Sequence, residues 1–169
     1  MKPLVNIKKA PLEVAQLLAN NTTLVKLLTI STPDVLEKTE ESLLDLNSLI
    51  KDVYINFYAP TEYGIKNFDR AAQISVYIDP ITPSRIDGNI DSHIIVYFST
   101  KTDNILLNNN KNRLLEAVDC ILQSLDNKKL SAAGQLSCIN CSYVFFDDFH
   151  AGYRISFSFN DQQNRKVDF

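Results

Sequence analysis

Cys138-Ile139-Asn140-Cys141 and Asp147-Asp148-Phe149-His150 are the two stretches of this 169-residue sequence whose residue types and spacing could do chemistry. A Cys-x-x-Cys pair has the spacing of half a zinc ribbon, in which four thiolates surround one metal ion. The other half is missing, because the remaining cysteine, Cys120, falls inside an apolar helical pattern. In a regular strand, positions three apart point to opposite faces, so the two thiols should diverge and behave as ordinary buried cysteines. Two carboxylates and an imidazole in one loop could hold a metal or work as acid and base. The same residues read more simply as a polar hairpin turn, where Asp is common. The only other histidine, His93, stands alone at the start of a strand pattern, and the turn is the better fit. The sequence has no G-x-S-x-G, no H-E-x-x-H and no P-loop, and its four glycines leave little from which to build a phosphate cradle. No catalytic residue, metal ligand or cofactor is expected.

The elements that would carry these stretches follow from periodicity. Pro11 opens a helical stripe of Leu12, Ala15 and Leu18, with Val14 and Leu17 beside it. Asn20-Asn21 breaks it, and Thr22 or Thr23 can cap a further turn holding Leu24, Val25, Leu27 and Leu28. A second helix is expected from Pro33 to Asn47. The period then changes to two: Val53, Ile55 and Phe57 form one strand, Ala72 to Ile78 a second, and Ile94 to Phe98 a third with both faces apolar. Pro80 to Asp91, with Pro83, Asp87 and Gly88, reads as a long loop or the extended tip of a hairpin. Asn110 is the expected N-cap of the strongest helix, whose apolar stripe runs from Leu114 to Leu125, with Lys111, Arg113, Glu116, Asp119 and Gln123 on its other faces. Two last strands, around Ile139–Phe145 and Tyr153–Phe159, should pair as an antiparallel hairpin across the short polar link Asp147 to Gly152. The expected fold is α+β: a mostly antiparallel sheet of four to five strands packed by one long helix, with N-terminal helices. It forms one domain over 1–160, helical to residue 50, followed by a polar tail at 161–169.

Charge and composition narrow the function. A net charge of −3 with scattered cations is a poor grip for duplex DNA, which needs several cations near phosphates. Three cysteines do not close a disulfide framework and fit a reducing compartment. The N-terminus lacks a signal-peptide pattern, and no apolar run approaches the ~20 residues that span a bilayer, so a soluble, intracellularly made protein without membrane contact is expected. Tyr54, Tyr58, Tyr77 and Tyr97 alternate with the core positions of their strands, which makes them candidates for a protein interface. The sheet pattern has apolar character on both faces, yet one strong helix. The N-terminal helices, a partner subunit, or a neighbour on an open edge strand would have to cover the rest.

Asn112-Arg113-Leu114-Leu115-Glu116-Ala117-Val118-Asp119, the connection Leu125 to Leu136 containing Asn127-Lys128-Lys129-Leu130, and His150-Ala151-Gly152-Tyr153-Arg154-Ile155-Ser156-Phe157 follow one another in the order of a known pattern. With Leu17 to Leu28, which reads as an "L-x-x-N-x-x-L-V-K-L-L" segment, they resemble the small neck and tail-completion proteins of tailed bacteriophages, a family that includes the tail terminators. Ala132 stands where the family's connection has its first Gly. The resemblance implies an antiparallel sheet with flanking helices, assembly as a ring, commonly a hexamer, and a place in the virion at the junction of head and tail. Such rings cap the tail tube, join it to the connector, and enclose DNA without reading its sequence. They are assembled in the host cytoplasm and carry no catalytic site.

On this reading the contact elements would be the Pro80–Asp91 loop with Pro83, Arg85 and Asp87, the turn with Asp147, Asp148 and His150, the tail with Arg165 and Phe169, and the tyrosines Tyr54, Tyr58 and Tyr77. The competing readings are another virion part such as a head-closure or baseplate protein, a small metal enzyme using His150 with Asp147 and Asp148, and a monomeric protein–protein adaptor.

Overall fold

In the computed structural model, residues 7–39, 43–60, 70–79, 82–83, 90–91, 93–131 and 133–160 are described. A 3-10 turn at Ile7–Lys9 leads into helix α1 (Ala10–Ala19), with Pro11 in the first turn, where no amide partner is needed. Asn20 and Asn21 end it. The cap of α2 (Thr22–Thr29) is Asn21 rather than Thr22 or Thr23: its Oδ1 accepts from the Leu24 amide at 3.0 Å. The Asn21 side-chain amide also donates to Ser124 Oγ (3.0 Å) and to the Cys120 carbonyl (3.3 Å), so the cap ties α2 to the long helix. A threonine hydroxyl has one donor and could not make both donations.

The helix expected from Pro33 to Asn47 does not form among the described residues. One 3-10 turn, Val35–Glu37, is followed by Lys38 in extended conformation, and helix resumes only in α3 (Leu46–Lys51), capped by Asp45 through the Ser48 amide at 2.8 Å. The Lys-Glu-Thr middle of that stretch has no apolar stripe to bury. Past α3, Val53 takes φ 60°, a left-handed conformation that a β-branched side chain resists. The strand expected from Val53 to Phe57 accordingly shrinks to β1 (Ile55–Asn56).

The remaining strands are β2 (Ala72–Ile78), β3 (Thr82–Pro83), β4 (Ile90–Asp91), β5 (His93–Lys101), β6 (Lys129–Leu130), β7 (Gly134–Asp147) and β8 (His150–Asn160). The main sheet has six strands in the order β1-β2-β5-β8-β7-β6. It is mixed: β1 runs parallel to β2 and the other neighbours are antiparallel, so the expectation of a mostly antiparallel sheet of four to five strands is corrected on both counts. The sixth strand, β6, has two residues, too few to show a period, and the long connection between β1 and β2 gives the chain room for a parallel return. Inside the expected Pro80–Asp91 loop, β3 and β4 form their own short antiparallel ladder, with Pro83 opposite Ile90.

Helix α4 (Arg113–Leu125) crosses from β5 to β6. Its cap is Asn112, whose Oδ1 accepts from the amides of Leu114 (2.9 Å) and Leu115 (3.3 Å), and not Asn110. Asn109 and Asn110 take φ 58° and 57°, which bars them from the extended conformation an N-cap needs. The helices lie on one face of the sheet: Leu18, Leu24 and Ile121 share a core with Ile74, Val96 and Phe157. Ile95 is fully buried but stands apart from that core, because it points to the other face along with Ser75, Tyr97 and Ser156.

Arg113, expected on an outer face of α4, is 0% exposed. Its Nε donates to the Asn104 carbonyl (2.8 Å), Nη1 to Leu27 (2.7 Å) and Ile30 (2.8 Å), and Nη2 to Ser31 and Thr32 (both 3.2 Å). Burial pulls its pKa down to about 10, which still leaves the guanidinium charged at neutral pH. Close packing also fixes Gly152, where a Cβ would run into the Phe98 carbonyl of the paired strand.

Cys138 and Cys141 do not diverge as a regular strand predicts. A bulge between Cys138 and Asn140 places them opposite Phe157 and Ile155, two residues apart on β8, so both thiols share the helix-side face. Each is pushed up by burial, and the coupling of Cys141 to Cys138 raises Cys141 further.

Replacing Arg113 by Met should cost at least about 3 kcal/mol, because five carbonyls lose their donor in a buried site. Arg113→Lys should recover little, since an ammonium offers three donors without the planar fork. Urea unfolding of both variants measures this, and a loss below about 1 kcal/mol would show that the guanidinium does not organise the fold.

Candidate interaction surface

The turn that joins β7 to β8 is two residues long, Asp148-Phe149, so His150 to Gly152 belong to β8 rather than to the connection. Asp147 Oδ1 accepts from the Phe149 amide at 2.8 Å, and His150 Nδ1 lies 2.9 and 3.1 Å from the two Asp147 oxygens. Burial pushes the Asp147 carboxyl up, but the Phe149 amide, the His150 hydrogen bond and the His150 charge outweigh it and hold the pKa below the usual carboxylate value. The Phe149 carbonyl accepts from the Thr102 amide at 2.8 Å, which docks the turn on the end of β5. Lys101, Thr102 and Asp103 face it across an open cleft of about 580 Å³.

This arrangement braces a turn. His150 is nearly buried, and its Nδ1 and the Asp147 carboxylate are committed to each other. Asp148 points to solvent. His93 sits at the far end of β5, eight residues from the Lys101 that pairs with His150, or about 27 Å along the strand. Among the described residues, no set of three or more His, Cys, Asp or Glu side chains is placed to hold a metal ion.

The tyrosines are dispersed. Tyr54 packs against the helix-side core with the Arg70 guanidinium 5.2 Å from its ring centroid. Tyr58, beyond β1, is exposed, and its amide contacts Asn56 Oδ1 at 3.4 Å. Tyr77 lies on the opposite face, stacked on Tyr97 with centroids 6.1 Å apart, and Phe146 lies 6.0 Å from Tyr97 on its other flank. Burial, helped by Tyr97, pushes the Tyr77 hydroxyl up to about 12. Beside this ladder Arg154 bonds Ser156 Oγ at 2.7 Å and lies 3.5 Å from Asp79. Of the other expected contact residues, Pro83 is in the β3–β4 ladder. Arg85, Asp87, Arg165 and Phe169 lie outside the described residues.

A surface that the sequence reading did not single out is the outer edge of β7. The two residues of β6 cover only Gly134 and Gln135. Beyond them no described strand flanks β7, although it continues to Asp147. Large apolar side chains stand exposed along it and at its turn: Ile139 (52%), Tyr143 (52%), Phe145 (60%) and Phe149 (70%). Edge strands usually carry charges or prolines that discourage pairing. Leu130 to Phe146 contains neither a charge nor a proline, and that run was the signal available in the sequence.

No protein-family model and no curated protein matches the chain. No helix among the described residues is long and apolar enough to cross a membrane.

The Asp147 brace predicts a pH signature. Its folded pKa is lowered, so its contribution is present above the unfolded value near 3.8 and is lost as the pH falls through the lower folded value. Asp147→Ala should therefore be less stable than the parent at pH 7, with the gap narrowing as the pH falls below 3.8 and the parent's carboxyl protonates. Thermal melts across pH measure it, and a gap that stays constant would contradict the brace.

Proposed function

We propose that this chain is a structural subunit with no catalytic site, a ring-forming neck or tail-terminator protein at the head–tail junction of a tailed bacteriophage particle. The observation that carries the proposal is the long uncharged edge of β7 with its exposed Tyr143 and Phe145, a surface suited to binding protein rather than to converting a substrate. The coarse α+β architecture, with helices packed on a sheet, supports the reading, although the sheet is mixed and six-stranded where the resemblance implies an antiparallel one. In this role the subunit caps the tail tube and joins it to the connector in the virion, after assembly in the host cytoplasm. DNA passes through the ring without sequence-specific contact, and a net charge of −3 favours a lumen to which DNA does not adhere. The turn brace, in which Asp147 and His150 hold each other, weighs against the metal-enzyme reading.

The test is co-sedimentation of the purified chain with tail tubes and with connectors, followed by imaging of the tube ends. The expected result is a ring-sized density on one end of each tube. A chain that binds neither tubes nor connectors would overturn the proposal.

A further inference from the structure

We infer that the β7 edge pairs with the β7 edge of a second copy of this chain, antiparallel across a two-fold axis through Tyr143. The inference uses the same edge but concerns self-association alone: a two-fold contact closes on itself and yields pairs, so a ring would need a further contact elsewhere on the pair.

The register follows from which backbone groups of β7 are already used. The Leu136 amide donates to the Lys128 carbonyl (2.8 Å) and the Leu136 carbonyl accepts from Asn127 (3.0 Å), so the groups of Leu136 point away from β8. The Cys138 amide also points outward, where Asp126 Oδ1 takes it at 2.9 Å. A bulge then follows, between Cys138 and Asn140, and a second lies between Phe145 and Asp147. The regular open edge is thus bounded to Asn140–Phe146, with Tyr143 at its centre. On β8, Ala151, Tyr153 and Ile155 have the same parity as Phe159, the partner of Leu136, and the β5–β8 register runs without a shift. Antiparallel strands alternate the side to which they bond. Ala151, Tyr153 and Ile155 therefore bond toward β5, and their β7 partners Phe145, Tyr143 and Cys141 turn their amides and carbonyls outward.

These three residues match themselves under a two-fold. Tyr143 meets Tyr143 of the partner subunit, and Cys141 meets Phe145 of the partner subunit, giving about six hydrogen bonds. All three project to the helix-side face, so the exposed rings of Tyr143 and Phe145 gain apolar neighbours across the junction. Two further observations favour a second copy as the occupant. The segment bears no charge, so self-pairing brings no like charges together. The opposite edge of the sheet, β1, has two residues and cannot match this one in length, whereas another β7 matches by construction.

The experiment is light scattering and sedimentation of the full chain over a concentration series, together with Tyr143→Lys and Phe145→Cys. The parent should associate in pairs or multiples of pairs. Tyr143→Lys, which sets two cations face to face on the axis, should weaken that association at least about tenfold while the circular dichroism spectrum is retained. Phe145→Cys should form a covalent dimer under a mild oxidant through Cys141 of the partner subunit, because paired strands hold opposite Cα atoms about 5.5 Å apart, within disulfide reach. The bond should vanish in Phe145→Cys with Cys141→Ser. A parent that stays monomeric at all concentrations, an assembly indifferent to Tyr143→Lys, or a Phe145→Cys chain that does not cross-link through Cys141 would each overturn the inference.

Discussion

A single buried cation organises the helical layer. Arg113 sits at the first position of α4, and its five donors reach the last turn of α2, the chain that leaves it, and the turn that follows β5. Among the described residues no carboxylate pairs with it. The negative end of the α2 dipole and a ring of carbonyl oxygens do so instead, which suits a planar, always-charged group. A helix C-terminus buried without donors would leave several carbonyls without partners. Arg113 resolves that problem for α2 and at the same moment fixes where α4 begins. Asn21 makes the complementary tie near the far end of α4, through Ser124 and Cys120. Between these two clamps α2 and α4 are held at a set spacing over the sheet.

The sheet depends on that layer more on one side than on the other. β2, β5 and β8 lie under helices and carry the fully buried Ile74, Val96 and Phe157. β7 is the last long strand, and α4 covers only part of it. The Asp126 cap on Cys138 and the Asp147–His150 brace tie the strand down near its two ends, and between its bulges it keeps a regular register with β8. Preorganisation of this kind lowers the ordering cost of adding a strand.

Much of this architecture is legible in the sequence. Period-two alternation places β2, β5 and β8, and the stripe from Leu114 to Leu125 places α4, because long elements repeat their pattern often enough to be read. What was hidden has physical reasons. Runs of asparagine offer several caps in a row, and only the backbone decides among them: Asn109, Asn110 and Asn127 take left-handed conformations while Asn21 and Asn112 cap helices. A bulge adds one residue without leaving a compositional mark, so strand alternation alone sends the two thiols of Cys-x-x-Cys to opposite faces. Arginine is read as surface by default, yet a ring of carbonyls can hold it inside. Of the expected contact residues, Asp147 and His150 do come together, but as partners in a turn. Tyr54, Tyr58 and Tyr77 share no site. The exposed edge could be read only from an absence of charge.

Amide hydrogen exchange along β7 at low and high protein concentration tests the central claim most directly. If the edge is the contact, the outward amides of Cys141, Tyr143 and Phe145 exchange fast when dilute and slow when concentrated, while the inward amides of Ser142 and Val144 stay protected throughout. Exchange at Cys141, Tyr143 and Phe145 that is the same at both concentrations would contradict the account.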